Sequence, residues 1–269
     1  TSGTGNMSRS DTVKANGYAH DVNDSQGKAG AAVKLRVSKT ELKFGDMQPS
    51  TAPVFAVGGS RILPQTARGF QLQSSEVKDL DLEAGHFYSA SSQDKNALDG
   101  DLWSQYADNV KANSIDYFGG KYGINDNLSV SLYGAKLEDI WNQYYANVNL
   151  TTPISGDTSL NTDFNIYRTT DTGDAKVGDI SNTAYSLATA LTFLKAHTIT
   201  LAFQKVNGDT PFDYVGVGKN NRGGDSIFLA NSIQYSDFNG PGEKSAQIRY
   251  DLKMAEYGVP GLSFMTRYV

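Results

Sequence analysis

Apolar and polar positions alternate with a period of two along most of this chain. In AVKLRV, Val33, Leu35 and Val37 fall on one side and Lys34 and Arg36 on the other; after Ser38-Lys39 the apolar row continues as Thr40, Leu42 and Phe44, against Glu41 and Lys43. Phe70 and Leu72 then alternate with Gln71 and Gln73, and Leu80, Leu82 and Ala84 with Asp81, Glu83 and Gly85. Such a period puts successive side chains on opposite faces of a strand. SIDYFGGKYGINDNLSVSLYGAKLED reads as a hairpin turning at Ile124 to Asn127, and AYSLATALTFLKAHTITLAFQKV as one turning at Lys195 to His197. WNQYYANVNL and TSLNTDFNIY read as strands on either side of a loop TTPISGD; SIFLANSIQY and a pair turning at Pro260-Gly261 complete the pattern. Roughly ten to twelve strands are predicted, an all-β fold.

The connections between these strands alternate in length. Ser38-Lys39, Ser75 to Asp79, Ile124 to Asn127, Lys195 to His197 and Gly258 to Gly261 are short; Asp46 to Arg68, Ser89 to Asn113 and Asn207 to Asp225 are long. Tight turns at one end and long loops at the other are how an outer-membrane barrel is organised, and strands of ~9–11 residues suit a tilted crossing of the hydrocarbon layer. Aromatic residues near strand ends, among them Phe87-Tyr88, Tyr117-Phe118, Trp141, Tyr144-Tyr145 and Tyr268, stand where interfacial girdles would put them.

Composition narrows the picture. The 269 residues have room for one large β domain, and no run approaches the ~20 apolar residues of a membrane-spanning helix. The chain has no cysteine, so disulfides and thiolate metal sites are excluded. A net charge of −5 gives no global field for nucleic acid, and any handling of anions has to come from local clusters of Lys and Arg. The start, TSGTGNMSRS, lacks a signal peptide's apolar core; the expectation is that processing has removed one or that the natural chain begins earlier.

KLRVSKTELKFGDM, SRILPQTARGFQLQSSEVKDLDLEAGHF, GDTPFDYVGVG, GGDSIFLANSIQYSDFNGPGEKS and YGVPGLSFMTRYV together resemble the OprD family of outer-membrane channels of pseudomonads. The resemblance implies a monomeric, eighteen-stranded antiparallel transmembrane β-barrel in the bacterial outer membrane, contacting its lipid. It also implies inward-folded loops forming a narrow eyelet, and a row of basic residues guiding small carboxylate solutes. Ten to twelve strands fall short of that ring, so the chain is expected to be the central part of a longer barrel.

If Val33, Leu35 and Val37 face lipid, then Lys34, Arg36 and Lys43 face the lumen. Likewise Ala246, Ile248, Tyr250 and Leu252 outside put Gln247, Arg249, Asp251 and Lys253 inside, with Arg267. A cation on the lipid face near the midplane would cost ~2–4 kcal/mol, which sets the phase. Alternating charge is also ordinary on a solvated sheet, so the period alone leaves both readings open; the resemblance favours a ladder through Arg36, Arg249 and Arg267. By the same resemblance the loop Asp46 to Arg68 folds inward, with Arg61 and Arg68 as eyelet residues, and the loop Asn207 to Asp225 sets Asp213, beside Tyr214, across the eyelet from them.

Other chemistry is weaker. His20, His86 and His197 are far apart and suggest neither a metal triad nor a catalytic dyad. GVGKNNRGGDS lacks the spacing of a phosphate loop, and DKNALDGD and TTDTGDAKVGD lack the EF-hand register. Neither enzyme activity nor a cofactor is expected. The alternatives are a basic amino-acid or peptide porin of the same family, a soluble carbohydrate-active β protein using pairs such as Asp81 and Glu83, and an outer-membrane adhesin.

Overall fold

The computed structural model describes residues 27–59, 63–107, 109–219 and 222–269. In chain order the strands are β1 (Ala32–Val37), β2 (Thr40–Met47), β3 (Thr66–Ser74), β4 (Leu80–Ser91), β5 (Leu102–Ser104), β6 (Lys111–Ala112), β7 (Ile115–Asn125) and β8 (Leu128–Leu137). They continue as β9 (Trp141–Ser155), β10 (Thr158–Asp171), β11 (Ser181–Phe193), β12 (His197–Gly208), β13 (Val215–Val217), β14 (Arg222–Gly223), β15 (Lys244–Lys253) and β16 (Ser263–Tyr268). Twelve of these form one antiparallel sheet in the order β1-β2-β3-β4-β7-β8-β9-β10-β11-β12-β15-β16, while β14-β13-β5-β6 form a small sheet of four. Neighbours in the large sheet follow one another in sequence, as in the wall of an up-and-down barrel.

Alternation along the strands and register across them divide the wall into two faces. One carries Val33, Leu35, Leu42, Phe44, Phe70, Leu72, Phe118, Leu132, Val148, Leu187, Leu201, Phe203, Ile248 and Phe264, all exposed, with Val33 at 71% and Leu132 at 65%. These side chains meet across strands, as where the Phe44 and Phe70 rings stack 4.5 Å apart. An exposed apolar face of this extent is what the lipid-facing band of an outer-membrane barrel presents. On the other face Gln71, Glu83, Gln143, Asn165, Asn182, Ser186 and Gln204 are buried although polar.

What buries them is two long connections folded against the wall. In the first, residues 48–59 bring Ala52, Val54, Phe55, Ala56 and Val57 to almost complete burial; the Phe55 ring lies 5.1 Å from Phe87 and 6.3 Å from Tyr117. Burying a Phe or Val side chain is worth about 1.5–3 kcal/mol, enough to fix a loop with no strands of its own. Residues 209–243 add Phe212, whose ring is 4.8 Å from that of Tyr167. The core of the molecule therefore lies between loops and wall.

Two expected boundaries are different in the structure. TTPISGD is not a loop: β9 runs to Ser155, and the connection is Gly156-Asp157, with Gly156 at φ +45°. SIFLANSIQY is not a strand but part of the second inward connection. The turn of the β11–β12 hairpin has Leu194 and Lys195 at φ 50° and 56°, the left-handed geometry that matches strand twist in a tight hairpin.

Candidate functional site

Below the inward loops, toward the short turns, the wall encloses a cavity of about 880 Å³. Thr51, Pro53 and Ile227 to Ala230 form its roof, and its sides come from β1 to β4 and β7 to β10. The roof hangs on wall side chains. Tyr167 Oη donates to the Pro53 carbonyl (3.0 Å) and accepts from the Phe228 amide (3.1 Å), tying both loops to one residue. Ser186 Oγ accepts from the Ala230 amide (3.0 Å), and Gln204 accepts from the Asn231 amide (2.9 Å) while donating to the Asp237 carbonyl (2.8 Å). Asn182 donates to the Pro211 carbonyl (2.9 Å). The loops also grip each other, through Gln65 to the Gly223 carbonyl (2.9 Å) and the Asp225 amide to the Ala56 carbonyl (3.0 Å). Loop backbone without ladder partners finds them in this row of amides and hydroxyls.

The cations Lys34, Arg36 and Lys43 stand in the polar row of β1 and β2, where Lys34 is in register with Lys43 and Arg36 with Glu41. Glu41 holds Lys43 at 3.1 Å and Arg36 at 3.9 Å, leaving Arg36 71% exposed. At the opposite end of the sheet Arg249 and Arg267 face each other in register, and Lys253 pairs with Ser263. Arg249 is gripped by Asp251 through two bonds of 2.7 and 2.6 Å. Lys34, Lys253 and Arg267 have no ion pair among the described residues. Lys121, in register with Asp81, lines the cavity. Arg61 lies outside the described residues.

Three predicted eyelet residues have other positions. Arg68 is on β3, not in a loop, and follows the outward phase of Phe70; its guanidinium chelates Asp46 at 2.8 and 3.0 Å, so it braces the outer rim. Asp213 is 1% exposed and looks into the wall. It accepts from Trp141 Nε1 (2.9 Å) and the Tyr106 amide (2.8 Å), and Gln143 holds its carbonyl (3.0 Å). Burial pushes its carboxyl above the usual range, an effect these donors oppose. Tyr214 is also buried, and shares Asp237 with Tyr106 at 3.1 and 2.6 Å. Burial and then the Asp237 carboxylate push the Tyr106 hydroxyl up to about 12, and Tyr214 moves the same way. Both residues anchor the loop.

Of the cavity's carboxylates the sequence drew attention to Asp81 and Glu83, as a pair for carbohydrate chemistry, and not to Asp163. Glu83 accepts from Thr51 Oγ1 (2.6 Å), Gln71 Nε2 (2.8 Å) and Tyr117 Oη (2.9 Å). Asp163 accepts from Asn147, Asn149 and Asn165 at 2.8, 2.9 and 2.6 Å. Both are held by neutral donors, with no cation in ion-pair distance among the described residues. The signal was the polar row Asn161, Asp163, Asn165 opposite Asn147 and Asn149, too amide-rich for a merely solvated face. His86 pairs with Asp116 at 2.6 Å, and His197 bonds Tyr250 and Tyr257 at 2.7 and 2.9 Å; His20 lies outside the described residues.

Comparison with known proteins agrees with this architecture. The model of the outer membrane porin, OprD family, matches residues 1–269. Porin D of Pseudomonas aeruginosa is 64% identical over 91% of this chain and 55% of its own length; the porin-like protein GalP of Pseudomonas putida is 34% identical over 91% and 58%. The chain thus spans little more than half the length of these relatives. A crystal structure of P. aeruginosa OprD superposes with a TM-score of 0.81 at 62% identity, covering 93% of this chain and 61% of that one. A BenF-like porin from Pseudomonas fluorescens gives 0.84 at 30% identity, covering 95% and 63%. This chain belongs to the OprD family of outer membrane porins.

Proposed function

We propose that the wall and loops described here belong to a diffusion channel for small solutes carrying a carboxylate, which the basic rows at the two ends of the sheet guide past the loop-narrowed section. The observation behind this reading is the lumen phase of Lys34, Arg36, Lys43, Arg249, Lys253 and Arg267. Guanidinium forks donate two parallel hydrogen bonds to a carboxylate. Partial neutralisation by Glu41 and Asp251 keeps each site weak, as a channel requires, because a solute bound too tightly blocks it. The channel is proposed to act as a monomer in outer-membrane lipid, and no step of passage calls for a cofactor or bond-making chemistry.

A second reading is favoured by the cavity. Its lining sets Glu41, Asp81, Glu83 and Asp163 against Arg36, Lys39 and Lys121, a mixture suited to a solute that also carries an ammonium, such as a basic amino acid or short peptide. The test is planar-bilayer recording of the full-length protein under a salt gradient, with liposome swelling in acetate, succinate, lysine and glucose. Arg36→Ala and Arg267→Ala should shift the reversal potential toward cation selectivity and slow carboxylate entry by several-fold. Unchanged reversal potentials in both variants refute the basic rows. Lysine entering faster than succinate replaces the first reading with the second.

A further inference from the structure

On the lipid-facing side the wall is not uniformly studded. In one row across β7 to β10, Phe118, Gly134, Tyr144 and Arg168 are in register; in the next row down stand Gly120, Leu132, Ala146 and Ile166. Gly134, Gly120 and Ala146 leave gaps between the large side chains, and the result is an outward groove of about 520 Å³ between Phe118, Leu132, Tyr144 and Ile166. Its lining is apolar except for Arg168 at its upper rim.

Arg168 lies three residues from the end of β10 at Asp171, on the side of the long connections, which in an outer-membrane barrel is the outer leaflet. Its guanidinium donates only to neutral oxygens: Ser181 Oγ (2.8 Å), the Asn182 carbonyl (3.2 Å) and Thr183 Oγ1 (3.4 Å). The lower row continues through Ile166, Tyr185, Lys205 and Lys244, so two more cations stand side by side on the same face. None of the three has a carboxylate in ion-pair distance among the described residues. With strands about 4.8 Å apart and a rise of about 3.4 Å per residue, Lys205 and Lys244 stand about 10 and 14 Å from Arg168 sideways and about 7 Å along the strands, roughly 12 and 16 Å in all.

Cations on a lipid face are costly unless they have an anionic partner. We propose that this face is a binding site for a phosphorylated glycolipid of the outer leaflet, one acyl chain lying in the groove and its headgroup phosphates bridging Arg168 to Lys205 and Lys244. The occupant is identified by charge complementarity: Arg168 at the upper rim of an apolar groove, with Lys205 and Lys244 beside it near the loop-side ends of their strands, matches an anionic head on a hydrocarbon chain. The spacing calls for two separated anionic groups on one head, which a doubly phosphorylated headgroup supplies, and phosphate is a ligand that both Arg and Lys bind.

The groove can be filled without disturbing the wall. A Cβ at Gly134 would lie 3.6 Å from the Tyr144 ring, an ordinary contact, so Gly134→Leu projects into the space an acyl chain would take. Full-length protein stripped of lipid in detergent is offered diphosphoryl lipid A, the same lipid without phosphates, or phosphatidylethanolamine, and bound lipid is counted by native mass spectrometry. The wild type should retain diphosphoryl lipid A preferentially. Arg168→Ala with Lys205→Ala should lower that retention by about tenfold, while Arg168→Lys keeps most of it. Gly134→Leu should lower it as well, with the barrel's heat-modifiable migration unchanged. Equal retention of the phosphate-free lipid, or of diphosphoryl lipid A by the alanine variant, overturns the site. Loss on removing the cations but not on filling Gly134 overturns the groove, and complete displacement by millimolar inorganic phosphate shows an ion site instead of a lipid site.

Discussion

Tyr167 shows how much one side chain holds in this molecule. Its hydroxyl serves as donor to Pro53 and acceptor to Phe228, while the ring packs 4.7 Å from Tyr145 and 4.8 Å from Phe212. Tyr167→Phe keeps the packing and removes only the hydroxyl, leaving the buried Pro53 carbonyl and the partly buried Phe228 amide without this partner. The expected loss in loop docking is about 1–3 kcal/mol, seen as noisier and larger single-channel currents and faster proteolysis within residues 48–65. A variant as quiet as the wild type would show that the hydroxyl does not hold the loops. Asp213 marks where residue-level reading from sequence ends. The stretch GDTPFDY says that a carboxylate sits in a loop, but not whether it meets water or the indole of Trp141. Arg68 failed for a related reason, since the strand begins at Thr66 and the alternation of β3 sends it outward with Phe70. The strand phase of the cations of β1, β2, β15 and β16 was legible because a membrane makes one phase far cheaper than the other.

Strands were readable wherever one face meets lipid, because the alternation there is enforced without interruption. SIFLANSIQY misled since a loop packed on both sides also mixes apolar and polar residues: Leu229 is buried while Phe228 is partly exposed. Pro153 misled in the opposite direction. The ladder between β8 and β9 stops at Leu128 and Leu150, so β9 beyond that point is an edge, where proline is tolerated. Among the turns, Glu76 gives a test in pH. Its carboxylate accepts from the Lys39 amide (2.6 Å), Ser38 Oγ (3.0 Å) and Thr40 Oγ1 (3.2 Å), clasping the β1–β2 turn to the β3–β4 turn. These donors, the Lys39 amide first, hold its pKa below the usual carboxylate range. A depressed folded-state pKa means that the clasp is fully present above the ordinary glutamate range and is lost as pH falls through the lower, folded value. Hydrogen exchange at Lys39 should therefore quicken on acidification, beyond the intrinsic rate, in the wild type but not in Glu76→Gln.

At the scale of the whole molecule, the sequence revealed the wall and its two environments, and the resemblance supplied the inward loops. What neither revealed is how the loops are held. Among the described residues, loop backbone pairs with itself only in the small sheet β14-β13-β5-β6 and in scattered turn contacts; the roof depends besides on Gln65, Gln143, Tyr167, Asn182, Ser186 and Gln204 reaching from neighbouring segments. The wall, by contrast, is a ladder of backbone pairs between consecutive strands. Urea competes well for isolated amide contacts and poorly for a cooperative ladder inside a bilayer. A reconstituted channel should accordingly widen in moderate urea, its current rising reversibly while its β circular dichroism stays constant; simultaneous loss of both signals would contradict this. The aperture then behaves as a component with a melting point of its own, so that point changes among wall glutamines and asparagines can retune pore size while the barrel around it stays intact.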